Sequence, residues 1–304
     1  MPPVSPLQVH PFLLSQNLCE FKPVSERYVL QLIKSLATKY NDLGDDITNA
    51  VLKECGEQLK IPVAKLINLS LRLGLTPPEL KKAKVIAVHK SGSSTDMTNY
   101  RPISILPSLS KLLEKTVKEQ LLEYLNENHL LASCQYGFRK KYGVQAALFD
   151  VVSQLQLSLD CGRMASALFI DLRKAFDTVN HEILLYKLGK INITGSVLNW
   201  IRDYLNGRSQ FVCLDGFCST TLNISCGVPQ GSILGPLLFI IYLNDVAELK
   251  LNGKLVLFAD DAAIFYEAEN PEVLTKLMQE DVDTLDFYFL SNKLTWNIDK
   301  TALM

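Results

Sequence analysis

Two adjacent carboxylates, Asp260 and Asp261, sit between two apolar runs, Leu255-Val256-Leu257-Phe258 and Ala262-Ala263-Ile264-Phe265. Short apolar runs on either side of a turn signal read as buried strands. Leu255 to Tyr266 is therefore expected to fold as strand, two-residue turn, strand, with the acid pair at the turn. Burying such a pair without partners is costly. Asp is also an ordinary turn residue, so the dipeptide alone does not separate a plain hairpin from a site. Asp171 adds weight to the second reading, because it ends another short apolar run, Ala167 to Ile170, expected to be a buried strand. Three carboxylates at the ends of adjacent strands suit hard divalent cations, Mg²⁺ above all. Two such ions roughly 3.5–4 Å apart stabilise both the attacking and the leaving oxygen of phosphoryl transfer.

The rest of the chain reads as mixed helix and strand. Apolar residues recur at helical spacing over 26–38 (Val29, Leu32, Ile33, Leu36) and over 46–73 (Leu59, Val63, Leu66, Ile67), where Thr76-Pro77-Pro78 marks the stop. Val85 to Val88 reads as a strand, Lys90 to Tyr100 as a polar loop, and Leu109 to Leu130 as a long amphipathic helix. Helices are expected over 144–160, 182–189, 196–205, 236–247 and 271–290, with strands at Ser209 to Leu214 and over 294–298. Residues 1–24 carry five prolines and read as a loose lead-in. Helices and short strands without βαβ regularity predict an α+β fold.

Composition restricts the function classes further. The 304 residues have a formal net charge of −1, which alone gives no basic footprint. The distribution differs: Lys81 to Lys141 holds eleven Lys and Arg against five acids, and Glu267 to Asp286 holds seven acids and one Lys. Such polarity lets a phosphate backbone be held on one side. The seven cysteines form no Cys-x-x-Cys pair. A zinc site from Cys213, Cys218 and Cys226 lacks the usual spacing, and scattered free thiols suit a reducing compartment. Met1 to His10 does not read as a signal peptide. The longest apolar stretch, Leu234 to Leu243, is too short to span a bilayer, so no membrane partner is expected. The four histidines are scattered and read as structural.

Several longer strings point in one direction. Asp171-Leu172-Arg173-Lys174-Ala175-Phe176-Asp177 resembles the first catalytic motif of reverse transcriptases, and Val179-Asn180-His181 extends it in the LINE manner. Gly227-Val228-Pro229-Gln230-Gly231-Ser232-Ile233-Leu234-Gly235-Pro236 is similar to the second polymerase motif of LINE-type enzymes. Asn99-Tyr100-Arg101-Pro102-Ile103-Ser104 and Gln135-Tyr136-Gly137-Phe138-Arg139 resemble the fingers motifs. Phe258-Ala259-Asp260-Asp261 matches the metal-binding hairpin, and Asn297-Ile298-Asp299-Lys300-Thr301 the last palm motif. The wording is closest to the jockey-like non-LTR retrotransposons.

The resemblance implies a right-hand polymerase: an N-terminal extension over 1–75, fingers over 76–165 and a palm over 166–304, with an antiparallel palm sheet flanked by helices. A thumb and an endonuclease, expected in the full element, are not read in this sequence. It implies that Asp171, Asp260 and Asp261 hold two Mg²⁺ ions with help from the Leu172 carbonyl. Lys90 and Arg101 are implied to grip the triphosphate, and Lys300 to lie near the pyrophosphate or act as a proton donor. Phe176 is implied to lie under the sugar and exclude a 2′-hydroxyl. Gln230 and Gly231 are implied to contact the templating pair and incoming nucleotide. The expected substrates are an RNA template, a DNA primer and deoxynucleoside triphosphates. The reaction is expected inside the cell, in the nucleus at the insertion step. Asp177 is expected to brace its turn, and Arg139 to serve its loop, the template or the nucleotide. Two departures stand out: Leu80-Lys81 replaces the family's Trp-Lys, and Lys140-Lys141-Tyr142-Gly143-Val144 replaces its usual loop continuation. Ala259 and Phe176 speak against an RNA-making polymerase. The alternative reading is a truncated, weakly catalytic remnant that binds nucleic acid.

Overall fold

The computed structural model describes residues 17–37, 47–139, 142–214 and 216–304. Most of the proline-rich lead-in, the ends of the first two expected helices and the Lys140-Lys141 departure lie outside these residues. Helix α1 (Glu26–Ser35) starts where the Ser25 hydroxyl accepts from the Tyr28 amide, satisfying one of the first-turn donors. The helix expected over 46–73 is two: α2 (Asn49–Glu54) and α3 (Gly56–Leu73), broken at Cys55. Gly56 lets α1 and α3 approach closely, since a Cβ there would press on Ile33 at 3.3 Å. Strand β1 (Lys82–His89) is longer than expected. The end of the predicted polar loop pairs with it as β2 (Tyr100–Ile105), in a register that sets Arg101 beside Val88. The amphipathic helix α4 (Ser108–Glu127) and α5 (Val144–Asp160) follow.

The second half begins with β3 (Met164–Ile170), the short α6 (Ala175–Thr178), α7 (His181–Lys190) and α8 (Gly195–Leu205). The chain then returns to the first sheet. β4 (Ser209–Leu214) runs parallel to β1, and β5 (Phe217–Cys218) and β6 (Leu222–Asn223) fold back on β4. Directly opposed Cys213 and Cys218 are joined as a disulfide. This corrects the expectation of free thiols throughout: the antiparallel register sets the two cysteines directly opposite each other, with Cα atoms 4.2 Å apart.

The second sheet is wholly antiparallel, in the order β7 (Lys254–Phe258), β8 (Asp261–Ala268), β3 and β9 (Ala302–Leu303). The strand expected over 294–298 is reduced to one bridge between Trp296 and Leu172, and regular pairing resumes only at β9. α9 (Gly235–Leu243) is shorter than predicted and passes into a 3-10 turn at Asn244. It is apolar all round and buried along its whole length, as expected of a helix at the centre of a core. α10 (Pro271–Ser291) covers β8 and part of β3. Among the described residues no helix is long and apolar enough to cross a membrane.

Candidate active site

The β7–β8 hairpin differs in one detail from its expected form. The turn residues are Ala259 and Asp260, while Asp261 already belongs to β8 and pairs with Phe258. The shift matters because it sends the two acids in different directions along the chain. Ala259 takes φ 60°, a left-handed conformation that costs a residue with a Cβ and persists where neighbours enforce it. Gln135 is that neighbour. Its side chain is 2% exposed, and its Oε1 accepts from the Ala259 amide at 3.0 Å and from the Gly137 amide at 2.8 Å. The Gln135 backbone bridges to Leu257, and a Cβ on Gly137 would collide with the Ala259 backbone. The fingers-type string 135–139 is thus pressed onto the turn.

Asp171 arrives by register. β3 pairs with β8 up to Ile170 opposite Ala262, and Asp171 is the next residue beyond that pair on one strand as Asp261 is on the other, close enough for its charge to act on Asp261. Burial raises the pKa of Asp260 above the usual carboxylate range; Asp171 adds to this and Arg101 opposes it. Asp261 is exposed on its outer side. Its pKa is nevertheless raised, by the protein behind it, then by Asp260 and Asp171, with Lys300 opposing. Three acids repel one another at one end of the sheet, faced by two cations.

The acids are gathered but not closed. Among the described residues no group of three His, Cys, Asp or Glu side chains is preformed as a metal cage. Asn297 Nδ2 donates to Asp171 Oδ2. The donor set still fits Mg²⁺. The ion prefers carboxylate oxygen, keeps several waters and takes one or two protein carboxylates plus substrate phosphates, so it needs no closed protein cage. The bridge at Leu172 uses the Asp171 carbonyl, which accepts from Asn297 N at 2.8 Å, and the Arg173 amide, which donates to Thr295 O at 2.8 Å. The Leu172 carbonyl lies outside that bridge.

The other predicted residues surround this end of the sheet. Phe176 stacks on Phe239 at 4.5 Å and 20°. Gln230 donates through Nε2 to Asp177 at 3.1 Å, so its side chain braces the turn after Phe176, and Asp177 has the bracing role expected of it. Burial raises the Asp177 pKa, while Gln230, Lys174 and Lys90 oppose the rise; this locates exposed Lys90 near Asp177. The side chains of Lys90 and Arg101 make no ion pair among the described residues. Gly231 takes φ 119°, and a Cβ there would strike the Ser104 carbonyl of β2. The same contact is sealed by Ser104 N donating to Gln230 O at 2.6 Å. Arg139 turns inward to the carbonyls of Ala132 and Gln135, which assigns it to loop support.

Three residues escaped the sequence reading. Gln135 and Asn297 lie inside strings already singled out, and their positions in those strings were the available signal. Glu114 lies in none. It is 1% exposed, and its carboxylate accepts from Ile233 N at 2.7 Å, Leu234 N at 3.2 Å, Ser110 Oγ at 3.1 Å and the Tyr204 hydroxyl at 3.1 Å. It fixes the backbone just before α9, and with it the Gln230-Gly231 segment. His181 meets the Gly227 carbonyl at 2.8 Å, in keeping with a structural reading.

The family model for reverse transcriptase (RNA-dependent DNA polymerase) matches residues 88–304. The RNA-directed DNA polymerase from mobile element jockey of Drosophila melanogaster is 30% identical over 300 residues, 96% of this chain and 32% of that protein. The corresponding jockey protein of Drosophila funebris is 30% identical over 92% of this chain and 31% of its own length. The chain therefore spans about a third of the curated relatives it matches. Among solved structures, telomerase from Candida tropicalis, in complex with the TWJ fragment of telomeric RNA, aligns with a TM-score of 0.54 at 12% identity. The alignment covers 85% of this chain and 45% of that one.

Proposed function

The chain belongs to the reverse transcriptase (RNA-dependent DNA polymerase) family, and we propose that it carries the nucleotide-transfer centre of a non-LTR retrotransposon enzyme that extends a DNA primer on an RNA template. The observation that carries this is the meeting of Asp171, Asp260 and Asp261 at one end of β3 and β8, with Arg101 and Lys300 opposing their charge. The antiparallel sheet is the proposed palm, and the sheet built on β1 and β2 the proposed fingers. Because β4 to β6 join β1, residues 209–223 belong structurally with the fingers sheet despite following the first palm strand. The rest of the relatives' length is where a thumb and an endonuclease are proposed to lie. The site of action is proposed to be intracellular, and nuclear at insertion.

Asp171, Asp260 and Asp261, with the Leu172 carbonyl, would hold two Mg²⁺ ions. When bound, such ions neutralise charge developing on the attacking and leaving oxygens. The chain's own residues supply the positioning. Lys90 and Arg101 grip the triphosphate, Arg101 by its planar fork and Lys90 as a point charge. Lys300 lies on the pyrophosphate side. Gly231 lets the β2 backbone and the loop approach each other, and the segment it shares with Gln230 lines the place of the templating pair. Phe176 fills the space that a 2′-hydroxyl would need.

Primer extension on RNA with deoxynucleotides and Mg²⁺ tests the proposal. Asp260→Asn is expected to lower the rate by at least about a thousandfold, or ~4 kcal/mol of barrier, with the fold retained by circular dichroism. Extension that survives in this variant would sink the assignment. Arg101→Ala is expected to raise KM for the nucleotide by roughly tenfold, the scale of a charge-assisted contact.

A further inference from the structure

Phe138 stands in a conformation that its backbone resists. Its φ is 57°, a region that residues with a Cβ adopt only where the surroundings impose it. The imposition comes from both sides. Gly137 is tied to Gln135 Oε1, which also takes the Ala259 amide, and Arg139 Nη1 donates to Ala132 O at 2.6 Å and Gln135 O at 3.1 Å. The loop is thereby clamped to the turn that carries Asp260. What the clamp presents is a phenyl ring still 49% exposed, edge-on to Phe176 at 6.3 Å and 88°.

The ring of Phe176 therefore has two restraints at right angles. Phe239, fully buried in α9, holds its face, and Phe138 meets it edge to face. A stacked and a perpendicular neighbour together leave the ring less freedom than either alone, because each geometry is separately favoured. A sugar gate depends on this. A 2′-hydroxyl adds a single oxygen, and a displacement of about 1 Å is enough to change how a site handles its substrate.

We propose that Phe138 determines sugar specificity as a positioning residue, by fixing the Phe176 ring against the 2′ side of the incoming nucleotide. The proposal rests on the reading of Phe176 given above. It explains why a strained backbone and a half-exposed aromatic coincide at a loop tip that adds little to the core.

The test is primer extension on RNA by the purified protein, with the kcat/KM of a deoxynucleotide and of its ribonucleotide measured for each variant. Phe138→Ala is expected to lower the preference for the deoxynucleotide by about tenfold, the scale of one aromatic edge contact, while kcat with the deoxynucleotide stays within about threefold. Phe138→Tyr is expected to restore the preference, and Phe138→Leu, which keeps more bulk should the alanine variant fold poorly, to fall between. Phe138→Ala combined with Phe176→Ala should discriminate no worse than Phe176→Ala alone. Unchanged preference in Phe138→Ala and Phe138→Leu, or additive losses in the double variant, would overturn the proposal while leaving the gate itself intact. Unchanged preference in Phe176→Ala would overturn both, and no extension by the wild-type protein would remove the polymerase reading beneath them.

Discussion

Two regions of this molecule hold carboxylates among other groups, and they do so in opposite ways. Glu114 lies in the interior between α4, α8 and the approach to α9; burial raises its pKa, and the charge of Arg208 and the hydrogen-bond donors around it oppose the rise. The acids at the end of β3 and β8 have each other. Among them Asp171 takes one amide donor, from Asn297, and Asp260 and Asp261 are raised in pKa by burial and by their neighbours' charge. A saturated carboxylate holds structure. Carboxylates set against one another, with cations placed around them, store an electrostatic demand that a ligand can meet.

The comparison is broken most readily at Glu114. Glu114→Ala leaves the Ile233 and Leu234 amides without their acceptor and Arg208, itself 1% exposed, without its counter-charge. Each buried donor left without its acceptor typically costs about 1–3 kcal/mol, and urea unfolding is expected to show a loss larger than that of any one of them. Glu114→Gln keeps an acceptor and is expected to lose about 1–3 kcal/mol. A silent Glu114→Ala would mean that the network is not what holds the loop before α9.

Gln135 stands between the two regions, a buried neutral acceptor that serves the acid turn. Gln135→Ala strands the Ala259 and Gly137 amides, at a cost of about 1–3 kcal/mol. It also removes the side-chain acceptor that holds the left-handed residue of the turn, so extension is expected to fall by about tenfold while KM for the nucleotide changes little. Gln135→Glu retains the acceptor and should keep most of the stability. A Gln135→Ala protein with normal extension would show that the turn holds its own shape.

What could be seen in the sequence divides along the same line. The acid hairpin was legible because strands of Leu, Val, Ile and Phe change abruptly to charge, and the position of Asp171 after its own apolar run followed from the same contrast. Its register was not, since nothing local says that Ala259 rather than Asp261 enters the turn. That choice is made by Gln135, 124 residues earlier in the chain. Glu114 was invisible for a related reason. A glutamate in an amphipathic helix reads as a surface residue, and its four donors come from α4 itself, α8 and the loop before α9, which only the fold brings together. The return of β4 to the first sheet is likewise a long-range pairing. The Cys213–Cys218 bridge depends on β5 pairing with β4 in the register that opposes the two cysteines, which pure spacing of cysteines does not reveal.

The smallest expected effect is the one that measures the stored demand directly. For Asp260 and Asp261 the folded pKa lies above the unfolded value, so the stabilising contribution of each is present below the unfolded pKa and is lost as pH rises through the folded one. At neutral pH both acids therefore weigh against the fold. Asp150 has the opposite sign. Its pKa is lowered, first by the Lys254 hydrogen bond, so its contribution is present above the unfolded pKa and lost as pH falls through the folded one. Thermal melts with and without Mg²⁺ separate the two. At tenfold excess of Mg²⁺ over its Kd, binding adds about 1.4 kcal/mol at neutral pH. That increment should fade as the solution is acidified into the carboxyl range and Asp260 and Asp261 take up protons. Asp260→Asn should lose the increment yet melt no lower than the wild-type protein without Mg²⁺, because the substitution removes one member of a repelling set. If the variant melts lower, or if Mg²⁺ stabilises it as before, the acids are not in conflict, and the contrast with Glu114 fails.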